Sequence, residues 1–242
     1  MKAKLMVAMA LSFAWAVSAQ QYYSSDFKFV KSSVLSLPVE DVKRFKIDAG
    51  AGSLSIIGTD TDEIQVKADI YQSEGSSDYC LGLEENSGFA ELKANVCHTG
   101  ANYTLVHLSI TLPSELLTDI KDGSGSIKAH DVSIGSIDDE SGSIALHGNL
   151  TALQIEDGSG KIEVLGNKGK VLIEDGSGKI YVENVEGDVK VKDGSGNVVI
   201  ENVAGKVAVQ DGSGNITVRG AEAFKLLGDG SGNVKLYDVK SE

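Results

Sequence analysis

Seven aspartates recur at a nearly constant interval: Asp122, Asp139, Asp157, Asp175, Asp193, Asp211 and Asp229. The first interval is 17 residues and the other five are 18. Each aspartate opens a short Gly/Ser segment, and "EDGSGKI" is spelled identically at 156–162 and 174–180. A fixed period of this length marks a chain built from one repeated supersecondary unit. Within one period, Ile180 and Val182 alternate with polar neighbours, Val185 follows, and Val189 and Val191 alternate again after Gly187. Alternation of β-branched residues over four or five positions reads as a half-buried strand, and helical spacing is absent. Eighteen residues cannot bury such a stripe on their own, so each strand must pair with its equivalent in the next copy. The predicted fold is therefore all-β, a single-stranded parallel β-helix or solenoid with 18-residue coils.

The letters around each aspartate suit a corner. The second glycine, at Gly125, Gly142, Gly160, Gly178, Gly196, Gly214 and Gly232, occurs in all seven copies, whereas the first is replaced once, by Glu140. The second position is thus the expected site of a positive φ, which glycine alone adopts cheaply. The aspartate is expected to accept backbone N–H bonds across its own turn. The next position runs Ser126, Ser143, Lys161, Lys179, Asn197, Asn215, Asn233, and the successive asparagines predict an amide ladder.

Stacked aspartates repel one another, by about 0.9 kcal/mol per neighbouring pair even in water. Backbone N–H groups, lysines such as Lys161 and Lys179, or cations could offset this. Calcium-binding solenoids place an Asp two residues after the last turn glycine. Here that place holds Ile127, Ile144, Ile162, Ile180, Val198, Ile216 and Val234, which are core positions. The corner is read as structural, with no metal and no cofactor. The Gly-rich spelling is not a phosphate cradle, since neither a helix nor a Lys-Ser/Thr pair follows it.

The N-terminus carries Lys2 and Lys4, then "LMVAMALSFAWAV" and "VSA". This is the order of a secretory signal peptide, assigned to residues 1–19. Removing it takes away two lysines, so the mature chain is more acidic than the −13 of the whole sequence. Such a charge repels phosphate backbones and makes nucleic acid a poor partner. No later run is long and apolar enough to span a membrane. Cys80 and Cys97 are the only cysteines. In an oxidising compartment an even pair reads as a disulfide.

Residues 20–43, with Tyr22, Tyr23, Phe27 and Phe29, are expected to form an N-terminal cap. The solenoid is expected over 44–242, and "IDAGAGSLSIIG" at 47–58 reads as a degenerate copy of the corner. Residues 59–72 and 103–113 alternate as strands, and a disulfide-linked hairpin excursion is expected at about 73–100. An 18-residue shift sets Lys225 where other coils place an aliphatic, which predicts a local bulge. Lys225, Lys235, Lys240 and Glu242 charge the C-terminal edge and predict a monomer. His130 and His147, eight residues after their aspartates, should lie on adjacent coils about 5 Å apart. They are read as part of a solvated face. No Ser-His-Asp set and no HExxH occurs, so the protein is read as a non-enzyme.

"GSLSIIGTDTDEIQVKA", then "ITLPSELLTDIKDGSGSIKAHDV", then the runs of DGSG coils resemble the bacterial putative-adhesin β-solenoid domains, over about residues 40 to 242. The resemblance implies an exported envelope protein, periplasmic or at the cell surface, and carries no catalytic residues over. The expected function is a non-enzymatic adhesin or binding scaffold whose repetitive β-face meets a glycan or an envelope protein. The alternative is a carbohydrate-active enzyme resembling the polysaccharide lyases, an analogy of fold alone.

Overall fold

The computed structural model describes residues 27–73, 79–95 and 104–241, which form strands joined by short turns and loops. The signal segment, Cys97 and Glu242 lie outside the described residues.

The chain enters along β1 (Lys28–Pro38) and forms a first coil from β2 (Arg44–Ala49) and β3 (Ala51–Thr59). Four strands follow before the regular repeat: β4 (Glu63–Gln72), β5 (Cys80–Asn86), β6 (Phe89–Asn95) and β7 (Thr104–Pro113). The coils resume with β8 (Leu117–Asp122) and β9 (Ser124–His130). They continue through β10 (Ile134–Asp139), β11 (Gly142–Asn149), β12 (Leu153–Asp157) and β13 (Gly160–Asn167). Next come β14 (Val171–Asp175), β15 (Gly178–Val185) and β16 (Val189–Asp193). The last three strands are β17 (Gly196–Asp211), β18 (Ile216–Asp229) and β19 (Val234–Ser241).

Consecutive coils stack in parallel and in register. Ile162 pairs with Ile180, and Ile180 with Val198. Asp157 pairs with Asp175, and Asp175 with Asp193. Two ladders result. One runs β3–β9–β11–β13–β15–β17–β18–β19, and the other β2–β8–β10–β12–β14–β16 and on into the second halves of β17 and β18. Between them lies a core of stacked aliphatics: Ile180, Val182, Val185, Val189 and Val191 of one coil are all buried. Each such side chain is worth about 2 kcal/mol when buried, but only because the coils on both sides cover it. The 18-residue β-solenoid is the fold of this protein.

The N-terminal end is closed by a change of strand direction. On the first ladder β7 lies parallel on β3, β4 antiparallel on β7, and β1 antiparallel on β4. On the second, β6 lies parallel on β2 and pairs antiparallel with β5. Ile64, Val66, Ala68 and Ile70 of β4 and Ala90, Leu92 and Ala94 of β6 are buried over the first coil. The departure from the coil path is therefore wider than a hairpin at 73–100. It takes in β4 and β7, and β8 stacks directly on β2 although 73 residues separate Phe45 from its partner Thr118.

The irregularity expected around Lys225 is present, as two register shifts that flank it. The register between β17 and β18 drops one residue before Ala223 and regains it between Leu226 and Gly228. Phe224 thereby pairs with Val207 and Leu226 with Val209, while Lys225 pairs with the outward Ala208 and is exposed. The shift before Ala223 keeps the lysine out of the core, and the second shift, at Leu227, restores the register.

Candidate functional site: the outward face and the aspartate corner

Residues that alternate outward on the first ladder form columns along the rod. One runs Ser126, Ser143, Lys161, Lys179, Asn197, with Asn215 and Asn233 continuing it. The backbone N–H and Nδ2 of Asn215 both donate to Asn197 Oδ1, at 3.2 Å each. Asn233 repeats this toward Asn215 Oδ1, at 3.3 and 3.2 Å. The amide ladder is thus built from two donors per step, which fixes each side chain and leaves its edge facing solvent.

The neighbouring columns carry the aromatic and charged groups. Tyr181 donates its hydroxyl to Glu183 Oε2 at 2.7 Å and lies 3.4 Å from Glu201 Oε2. That hydrogen bond, with the two carboxylates beside it, pushes the phenol up to about 12, so it stays a neutral donor. Arg219 bonds Glu201 and lies 5.0 Å from the centre of the Tyr237 ring. His130 and His147 pair across adjacent coils, with ring centres 4.6 Å apart and edge to face. His147 Nε2 is 3.5 Å from Glu163, which also bonds Lys161. Among the described residues no group of three or more His, Cys, Asp or Glu is placed to hold a metal ion.

The aspartate corner is different in kind, because its side chains point inward. Asp122, Asp139, Asp157, Asp175, Asp193 and Asp211 are between 2 % and 7 % exposed, and only Asp229, on the last coil, is open to solvent. In Asp157, Asp175, Asp193 and Asp211 the Oδ1 atom accepts the N–H of the serine two residues on, at 3.0 to 3.1 Å. The Oδ2 atom of all six is buried without a partner, as is Oδ1 of Asp139. In the first coil the equivalent place holds Ala49, also buried. Lys161 and Lys179 turn outward into solvent and do not neutralise the column.

The second glycine of each corner has φ between 135° and 152° from Gly125 to Gly232, and Gly52 matches them at 141°. A further corner went unread in the sequence. Asp131, Gly148, Gly166, Asn184, Asn202, Gly220 and Asp238 stand nine residues after their aspartates, and all have φ between 51° and 81°. The signal was present: that position holds only Gly, Asn or Asp, the residues that tolerate the left-handed region best. Asn149 and Asn167 were also missed. They are buried, and Asn149 Nδ2 donates to Asn167 Oδ1 at 2.7 Å.

Cys80 opens β5, opposite Asn95 of β6. No helix among the described residues is long and apolar enough to cross a membrane.

No protein-family model and no curated protein matches the chain. Solved structures do. A putative adhesin from Bacteroides fragilis aligns over 85 % of this chain and 97 % of its own, at 15 % identity and a TM-score of 0.56. A putative cell adhesion protein from Clostridium sporogenes aligns over 89 % and 100 %, at 15 % identity and a TM-score of 0.40. A putative adhesin from Parabacteroides distasonis aligns over 85 % and 97 %, at 15 % identity and a TM-score of 0.42. By fold, the chain is a β-solenoid of the kind seen in the Bacteroides fragilis adhesin-named structure.

Proposed function

We propose that the protein is a non-enzymatic, exported scaffold of the cell envelope, periplasmic or at the cell surface, that binds a repetitive partner through the outward face of its first ladder. The observation that carries this reading is the set of in-register columns, in which the amide edges of Asn197, Asn215 and Asn233 recur at the strand spacing, with the neutral Tyr181 hydroxyl and the Tyr237 ring in the two columns beside them. Such a surface meets a polymer with many weak, evenly spaced contacts. A glycan suits it best among the expected partners. Sugar hydroxyls pair with amides and carboxylates, and the apolar face of a sugar ring stacks on tyrosine. The adhesin name of the Bacteroides fragilis structure agrees with this reading.

A glycan array probed with mature protein tests it. Binding is expected to polymeric glycans, and Tyr181→Ala with Tyr237→Ala is expected to weaken it about tenfold, the loss of about 1.4 kcal/mol. Absence of binding to every glycan, or release of new reducing ends from a bound polysaccharide, would count against the proposal.

The export reading also carries the Cys80–Cys97 disulfide. Thiol titration of the secreted, denatured protein is expected to find no free thiol. Two thiols per chain would refute the pairing. On the chain-entropy model, closing that loop adds roughly 3 kcal/mol.

A further inference from the structure

Six carboxyl groups lie one above the next along the inside of one corner of the rod. Asp122 pairs in register with Asp139, and the series continues through Asp157, Asp175, Asp193 and Asp211. Each is at least nine-tenths buried, and each keeps an Oδ2 atom that meets neither solvent nor a donor. A buried oxygen of this kind is costly when ionised and unpaired, and the next carboxyl stands one strand spacing away, about 4.8 Å. Backbone N–H groups of the glycine and serine that follow offset part of this cost, and desolvation outweighs them.

Among the described residues, the surroundings supply no compensating cation. On the strands that lead into the corner, the preceding residues are Lys121, Asp138, Glu156, Glu174, Lys192 and Gln210. Lys192 is taken up by Glu174, at 2.6 Å. Glu140 follows Asp139 directly, and Asp229 stands on the coil beyond Asp211. On the strands that leave the corner, Lys161 and Lys179 are exposed, and Lys161 bonds Glu163. The inward residues there are Ile127, Ile144, Ile162, Ile180, Val198 and Ile216, all buried and apolar.

We propose that the six buried aspartates act as one coupled proton-holding spine, so that the rod is most stable in mildly acidic surroundings and loosens as the pH rises through neutrality. This goes beyond the binding function and does not depend on it. Its protons come from solvent as the coils stack and return to solvent when they separate. Between neighbours, a protonated carboxyl supplies the donor that the adjacent carboxylate lacks. Desolvation, joined by the charge of the neighbouring column members, pushes Asp122 up to about 7 and Asp139, Asp175 and Asp193 up to about 6. Desolvation also raises Asp157 and Asp211.

The direction follows from linkage. The folded rod holds protons that the unfolded chain, with ordinary carboxyls near 3.9, has already released. The stabilisation is complete below that value and disappears as the pH climbs through about 6 to 7, the range of the folded groups. Thermal unfolding followed by circular dichroism is expected to show Tm falling by on the order of 10 °C between about pH 4.5 and about pH 8.

Asp175→Asn tests the assignment. The amide keeps an oxygen for the Ser177 N–H, and it offers N–H donors to Asp157 and Asp193. This variant is expected to raise Tm by about 5 °C at the alkaline end and leave the acidic end within about 1 °C. Asp193→Asn serves as the second variant, with the same expectation. Proton release on unfolding near pH 6, read with an indicator dye, gives an independent measure; net release is expected in the wild type and less of it in the variants. A wild-type Tm that is flat or rising across this window would overturn the proposal. So would equal losses at both pH values in the two variants, or unfolding without proton release. A calcium-dependent rise in wild-type Tm at alkaline pH that is lost in Asp175→Asn would also overturn it, since the column would then hold a cation instead.

Discussion

Replacing Gly178 by alanine is expected to stop the coils from stacking, with a loss of more than about 4 kcal/mol of stability. Gly178 sits at φ 152°, a conformation that a side chain strains. A Cβ there would lie 1.6 Å from the carbonyl oxygen of Gly160 on the preceding coil. That neighbour is backbone, held in the same ladder, and cannot rotate away. Moving Gly178 instead would break the bond from its N–H to the Ser195 carbonyl on the next coil, at 2.9 Å. The clash therefore propagates in both directions along the rod. Urea unfolding, or loss of the β-sheet circular dichroism signal, measures it. Gly166→Asn is the contrasting change. Gly166 has φ 81°, its added Cβ would meet nothing closer than 3.7 Å, and equivalent coils already carry Asn184 and Asn202. That variant is expected to stay within about 1 kcal/mol of the wild type.

Asn149→Ala is expected to cost about 3 kcal/mol, read as a lower urea midpoint with an unchanged slope. Asn149 is 2 % exposed. Its Oδ1 accepts the Ile134 N–H at 2.7 Å, and its Nδ2 donates to the Thr151 carbonyl at 3.0 Å and to Asn167 Oδ1 at 2.7 Å. The reason lies in the single short coil. The 17-residue interval after Asp122 shifts the register between Ile134 and Ser136, so the Ile134 backbone falls out of the regular ladder. The Asn149 amide satisfies it. Alanine would leave several buried polar groups unpaired, and such groups lose their full desolvation free energy. In later coils the same column holds Val185 and Val203, where the register is regular and no patch is needed.

The period, the solenoid and the corner glycine were legible because each is written locally and repeated. Alternation of Ile and Val sets which side chains turn inward. The 18-residue interval sets which strands meet, and a position held only by glycine implies a backbone that other residues cannot follow. His130 and His147 could be placed side by side for the same reason, since in-register stacking makes sequence distance equal to one strand spacing. What the repeat could not convey depends on contacts between distant segments. The antiparallel cap of β1, β4 and β7 departs from the period, and its partners are chosen by the exposed aliphatics of the first coil. Lys225 escapes the core through a compensating pair of register shifts that only its partner strand β17 defines. The aspartates look like ordinary turn residues one coil at a time. They become buried and short of donors only when the next coil covers them, so their coupling is a property of the stacked rod. Sequence by itself thus determined the repeat and the path of each coil, because both rest on local steric and hydrophobic preferences. The tertiary structure alone decided the cap, the repairs and the electrostatics of the corner, because these arise from which groups the neighbouring coils remove from water.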